Sequence, residues 1–138
     1  MGLWRTGTYI PVRQWSSVMV FREIAMIKDL NVNELAWEQH PIFAELLIKR
    51  MLSFEKDNVD LSIMMVRAKK GIQVPAHTHE QDDIVYQLEG KCKMWVEGSG
   101  DFEMLPGSFM RIPAGVRHQP HDFEKDVLAF DIFLPHLF

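Results

Sequence analysis

From Gly71 onward the chain is a succession of apolar runs, each four to nine residues long, separated by turn-forming residues, and this rhythm leaves few folds open. The runs are 84–88, 91–97, 102–105, 108–112 and 126–134, with turns at Glu89-Gly90, 98–101 and Pro106-Gly107. Such lengths suit strands and are too short for helices that bury one face. Within 91–97, Cys92, Met94 and Val96 alternate with Lys93, Trp95 and Glu97, so one face packs while the other is wet or lines a polar cavity. The pattern predicts an all-β sandwich or barrel.

Upstream the signal is divided. Ile42, Phe43, Leu46, Leu47, Arg50, Met51 and Phe54 follow helical spacing, with Pro41 placed for a first turn. Leu46, Ile48, Arg50, Leu52 and Phe54 also share one parity of a strand, and Lys56, Asp57 and Asn58 make a turn. A second limb, 60–68, is rich in Val, Ile and Met, which favours a hairpin. The first 25 residues differ again: Arg5, Arg13 and Arg22 against Glu23 give this stretch +2, leaving −6 for the remainder of a chain of net charge −4. We read 1–25 as an arm or extension, with targeting the lesser reading, and 26–138 as one barrel domain.

At 138 residues, 47% hydrophobic and 25% charged, the chain has the size and composition of one soluble domain with a real core. The acidic balance argues against nucleic acid as a partner, because phosphate binding wants a basic surface. No stretch approaches the roughly 18 apolar residues of a membrane-spanning helix. The single Cys92 has no internal disulfide partner, so a reduced cytoplasm is the expected location.

The chemistry is concentrated in two blocks. The first is Gly71, five residues, His77, one residue, His79, three residues, Asp83, six residues, Gly90; the second is Gly107, five residues, Pro113, one residue, Gly115, two residues, His118. On a strand, His77 and His79 would present both imidazoles on one side. Three neutral imidazoles and a carboxylate suit iron, manganese, nickel or zinc alike.

Together the blocks resemble the paired signature of the cupin superfamily, small jelly-roll β-barrels with one metal site inside. The resemblance covers roughly residues 44 to 135. It implies that His77, His79, Asp83 and His118 hold one divalent transition metal. Asp83 stands where the family most often has glutamate, and Asp122 where the second block often ends in asparagine. An aspartate, one methylene shorter, must reach the metal from a closer backbone or leave room for water.

Other residues are weighed against plainer roles. His121, Tyr86 and Arg111 are the candidate catalytic groups: a proton shuttle, a neutral hydrogen-bond donor and a grip for a carboxylate. Arg117 and Gln119 flank the second block in similar fashion, whereas His40 and His136 carry no spacing signal and read as surface. Met65, Tyr86, Trp95, Phe109 and Phe130 either fill the core or wall the site. Glu80, Asp82 and Asp83 crowd like charges that a cation would relieve. The resulting expectation is a metal-dependent enzyme acting on a small oxygen-rich molecule, of dioxygenase, lyase, decarboxylase or isomerase type. The alternative is a non-catalytic sensor or storage barrel. A homodimer is expected, paired through the Trp-rich amino segment and the tail 130–138.

Overall fold

Side-chain alternation decides where this chain forms strands. In β3 (Ser62–Ala68), Ser62, Met64, Val66 and Ala68 are buried and the residues between them are not. The same period of two runs through β5 (Cys92–Val96) and along much of β4 (Asp82–Glu89) and β9 (Val127–Leu134). The computed structural model describes residues 27–138, so the arm expected over 1–25 lies outside the described residues. The unit Asn31–Phe138 also holds β1 (Glu38–Gln39), β2 (Leu47–Leu52), β6 (Gly100–Met104), β7 (Phe109–Ile112) and β8 (His118–His121).

The strands form two antiparallel sheets, one ordered β1-β2-β3-β9-β4-β7 and the other β6-β5-β8. The last strand, β9, slots between β3 and β4, so residues 127–134 become the middle of the larger sheet. The inward faces of both sheets enclose the core, in which Ile48, Met64, Met104 and Ile112 are almost fully buried. No helix among the described residues is long and apolar enough to cross a membrane.

The divided signal upstream resolves as the hairpin. β2 and β3 pair antiparallel from Leu47 opposite Arg67 to Leu52 opposite Ile63. Within 42–58, helical geometry survives only in the connection, as the single turn α1 (Phe54–Asp57). Ser53 caps it by accepting from the Lys56 amide, and Asn58 ends it in the left-handed region at φ 54°. β8 was not visible as an apolar run, because its sequence is His-Gln-Pro-His. It is one of the two edge strands of the smaller sheet, where a proline lacking an N–H is tolerated.

Gly90 shows why the first block ends in glycine. Its φ is +90°, and a Cβ there would stand 2.1 Å from the Asp126 carbonyl oxygen. Only glycine allows the β4–β5 turn to approach the segment before β9 so closely.

Candidate metal centre

The histidines do not come from one regular strand, as their spacing suggested. His77 lies in an irregular segment and forms an isolated antiparallel bridge with His118: each backbone N–H donates to the other's carbonyl at 3.0 Å. This bridge brings the two sequence blocks together. His79 follows two residues on, and Asp83 points inward from β4, opposite Phe133 of β9 and Ile112 of β7.

One hydrogen-bonding rule orients all three rings. The Nδ1 atoms of His77, His79 and His118 each lie 2.8 Å from a backbone carbonyl, those of Pro75, Gln81 and Val116 respectively. A carbonyl oxygen can only accept, so each Nδ1 carries the proton and donates it. The lone pair is therefore left on Nε2. Ligand atoms of the three rings come within 4.8 Å of one another. Aromatic contacts hold the rings in place, with Phe43 tilted at 4.6 Å from His77 and Phe133 edge-on at 5.3 Å from His79, centroid to centroid.

Asp83 completes the cluster. Its Oδ2 is 3.6 Å from His79 Nε2 and 3.7 Å from His118 Nε2. These separations are too long for hydrogen bonds, yet two ligands of one ion, each about 2.0–2.2 Å from it, can span them. His79 Nε2, His118 Nε2 and Asp83 Oδ1 are buried without a hydrogen-bond partner, an arrangement that is costly unless something else satisfies them. The donor set, its tautomers and its orphaned atoms thus fit a divalent metal. Burial lowers the proton affinity of His77 and His118, favouring the neutral, ligating form, while the neighbouring Asp83 carboxylate raises that of His79.

The cluster opens on a cavity of about 190 Å³ between the sheets. Most of its wall is aliphatic or aromatic. One further carboxyl lines it, Asp131 of β9, which shares inward parity with Val127, Ala129 and Phe133. Asp131 sits opposite Val85, one inward position from Asp83. It has no hydrogen-bond or ion-pair partner among the described residues, and burial together with the Asp83 charge pushes its carboxyl well above the usual range. The sequence reading passed over it, although a lone carboxylate on the apolar parity of 126–134 was the available signal.

The other candidates lie elsewhere. His121 faces the outer groove of the smaller sheet, where its Nε2 is 2.7 Å from Asp101 Oδ1 and its Nδ1 is 3.5 Å from Asp122 Oδ1. Arg111 donates to Asp82 Oδ2 at 2.9 Å from Nε and 2.6 Å from Nη2, and Tyr86 is exposed on the outside of β4. Neither Arg111 nor Tyr86 lines the cavity, and the same holds for Met65, Trp95, Phe109 and Phe130. Arg117 borders the outer groove, and Gln119 donates to the Val74 carbonyl at 2.7 Å. The acidic cluster is divided: Asp82 turns out to Arg111, Asp83 turns in, and Glu80 is exposed. His40, read as surface, is instead buried beside the cavity, its Nδ1 accepting from the Ile42 and Phe43 amides at 3.0 and 3.1 Å. His136 is half-exposed and pairs with Asp60.

Comparison with known proteins gives the frame for this site. No protein of curated function matches the sequence. KdgF from Halomonas sp. is similar in structure, with a TM-score of 0.67 at 24% identity, covering 79% of this chain and 95% of that one. The polyketide cyclase RemF from Streptomyces resistomycificus matches with a TM-score of 0.69 at 17% identity, covering 82% and 87%. Ectoine synthase from P. lautus gives 0.66 at 19%, covering 80% of each chain. At these identities the likeness is one of fold. The cupin-domain family model matches residues 64–133, just over half of the chain, and the match takes in both histidine blocks. With its two facing antiparallel sheets and His77, His79 and His118 gathered between them, this chain belongs to the cupin family.

Proposed function

We propose that the protein is a metal-dependent enzyme with a mononuclear centre held by His77, His79, His118 and Asp83, acting on a small molecule inside the cavity. The observation that carries this reading is the convergence of the three imidazoles, each with its proton fixed on Nδ1 by a backbone carbonyl. A divalent metal bound there, iron, manganese, nickel or zinc, supplies Lewis-acid chemistry to an oxygen of the molecule.

The chain's own residues do the rest. The Pro75, Gln81 and Val116 carbonyls hold the rings in ligating orientation, as outer partners of metal-binding histidines do. The apolar wall keeps water away and strengthens electrostatic effects at the cluster. Asp131, whose carboxyl burial and the Asp83 charge push above the usual range, is the carboxyl able to exchange a proton with a carbon or oxygen next to the reacting group. This favours lyase or isomerase chemistry within the classes that the sequence suggests. A homodimer belongs to the same proposal: Tyr86 and Phe109 are register partners on the outer face of the larger sheet, 42% and 68% exposed, an apolar surface that a second copy would cover.

The test is deuterium exchange from heavy water into the α-carbon of cyclohexanone, followed by NMR, with protein loaded in turn with each of the four metals. At least one metal is expected to give exchange above background, lost in Asp131→Asn and in His118→Ala. Absence of exchange with all four would turn the reading toward a binding barrel without turnover.

A further inference from the structure

The polar capacity of the cavity lies at one end, and this constrains what can enter. Of the polar groups on its wall, Gln87 donates to the Gly90 and Met104 carbonyls at 3.0 and 2.8 Å and lies 3.6 Å from the Cys92 thiol. His40 Nδ1 is taken by two backbone amides, and Thr78 belongs to the metal end, between His77 and His79 in the chain. What remains unpartnered is His79 Nε2, His118 Nε2 and Asp83 Oδ1, with the Asp131 carboxyl one inward position along.

Beyond that end the wall is made of small and apolar side chains, among them Val66, Ala68, Met94, Phe123, Val127 and Ala129. No lysine or arginine lines the cavity. A second anionic group or a ring of hydroxyls would therefore lose its water and gain no partner, at about 1–3 kcal/mol for each neutral polar group and more for a charge. Size sets a further limit. An apolar cavity of about 150 Å³ takes up benzene, and this one measures about 190 Å³.

We propose that the cavity selects a molecule of one or two rings with an apolar body and oxygen functions on a single edge, and rejects polyols and dicarboxylates. The assignment rests on the metal-centre reading for the direction of the oxygen edge, but the fit of the apolar body does not. The body lies against Ala68, Val127 and Ala129, and the oxygens face the histidines. This narrows the oxygen-rich molecule expected from the sequence to one whose oxygens are confined to the metal end.

Calorimetric titration of the full chain tests it, without metal and with one equivalent of zinc, using 2-naphthol, glucose and succinate as probes and measuring zinc uptake separately. We expect 2-naphthol to bind at least about tenfold more tightly than glucose or succinate in both states, with zinc improving its affinity. Ala129→Leu, which fills the apolar end, should weaken 2-naphthol by about tenfold or more and leave zinc uptake unchanged. Should that variant not fold, the wild-type ranking of the three probes decides the matter. Glucose or succinate binding as tightly as 2-naphthol in the zinc-loaded protein would overturn the proposal, as would 2-naphthol affinity indifferent to a folded Ala129→Leu. If zinc is refused while 2-naphthol still binds first, the metal centre fails and the apolar selection stands.

Discussion

The inner cluster and the outer groove of this barrel both combine histidine with aspartate, and they are built for opposite ends. Inside, His77, His79 and His118 each give Nδ1 to a backbone carbonyl, and their Nε2 lone pairs converge near Asp83. On the outer groove, His121 turns both ring nitrogens toward carboxylates, Asp101 and Asp122, and Asp122 is also 3.7 Å from Lys93. The outer group is already paired with its own neighbours and open to solvent. What distinguishes a metal site here is a set of aimed, unpaired lone pairs in a dry place, not the number of histidines and carboxylates nearby.

The sharpest way to break this contrast is to remove one histidine from each region. His118→Ala should lower zinc affinity by more than about 100-fold, since even the groups that hydrogen-bond to a ligating histidine are worth about 10–100-fold. His121→Ala should leave zinc affinity unchanged in a competition titration with a chromophoric chelator. Equal losses in the two variants would erase the distinction.

Two turn glycines separate a close backbone approach from an open turn. Gly90→Ala forces a Cβ against the Asp126 backbone at positive φ, and should cost about 2 kcal/mol or more in urea unfolding. Gly107→Ala, at φ +91° with nothing within 4 Å of the added Cβ, should cost only the strain of positive φ, about 1–2 kcal/mol.

Acid probes the same contrast through His40. Burial, aided by the His77 and Arg50 charges, takes its pKa down from 6.5 to about 4. Between those values the unfolded chain binds a proton that the folded chain refuses. The stabilisation is therefore complete above pH 6.5 and is lost progressively as pH falls toward 4. Protonating Nδ1 would also break both amide bonds that it accepts. His40→Asn, whose side-chain oxygen can accept in place of Nδ1, should flatten this part of the stability curve; a curve as steep as that of the wild type would remove His40 as its source. The smallest effect belongs outside. Asp101→Asn breaks an exposed pair and should change stability by no more than about 1 kcal/mol, without altering zinc affinity.

Much of this was legible in the residues. The five runs after Gly71 became β4, β5, β6, β7 and β9, because period-two burial and turn glycines act locally. Parity within 91–97 correctly separated Cys92, Met94 and Val96 from the wet face. β8 was missed because its pairing with β5 is imposed by its neighbour, not by its own composition. Spacing pointed to His77, His79, Asp83 and His118 but could not foresee that His77 and His118 meet through a backbone bridge. Nor could it tell that Arg111 is engaged by Asp82, 29 residues away in the chain. Inward and outward are properties of the assembled sheets, which is why Tyr86 and Phe109 were candidates for the wall and Asp131 was not.

Metal content of the freshly purified protein, counted per chain by elemental analysis beside His118→Ala prepared identically, tests the central claim most directly. The account predicts close to one divalent transition metal per wild-type chain and almost none in the variant, with both folded. A wild-type chain that arrives empty and refuses added metal, or a variant that retains its full complement, would contradict it.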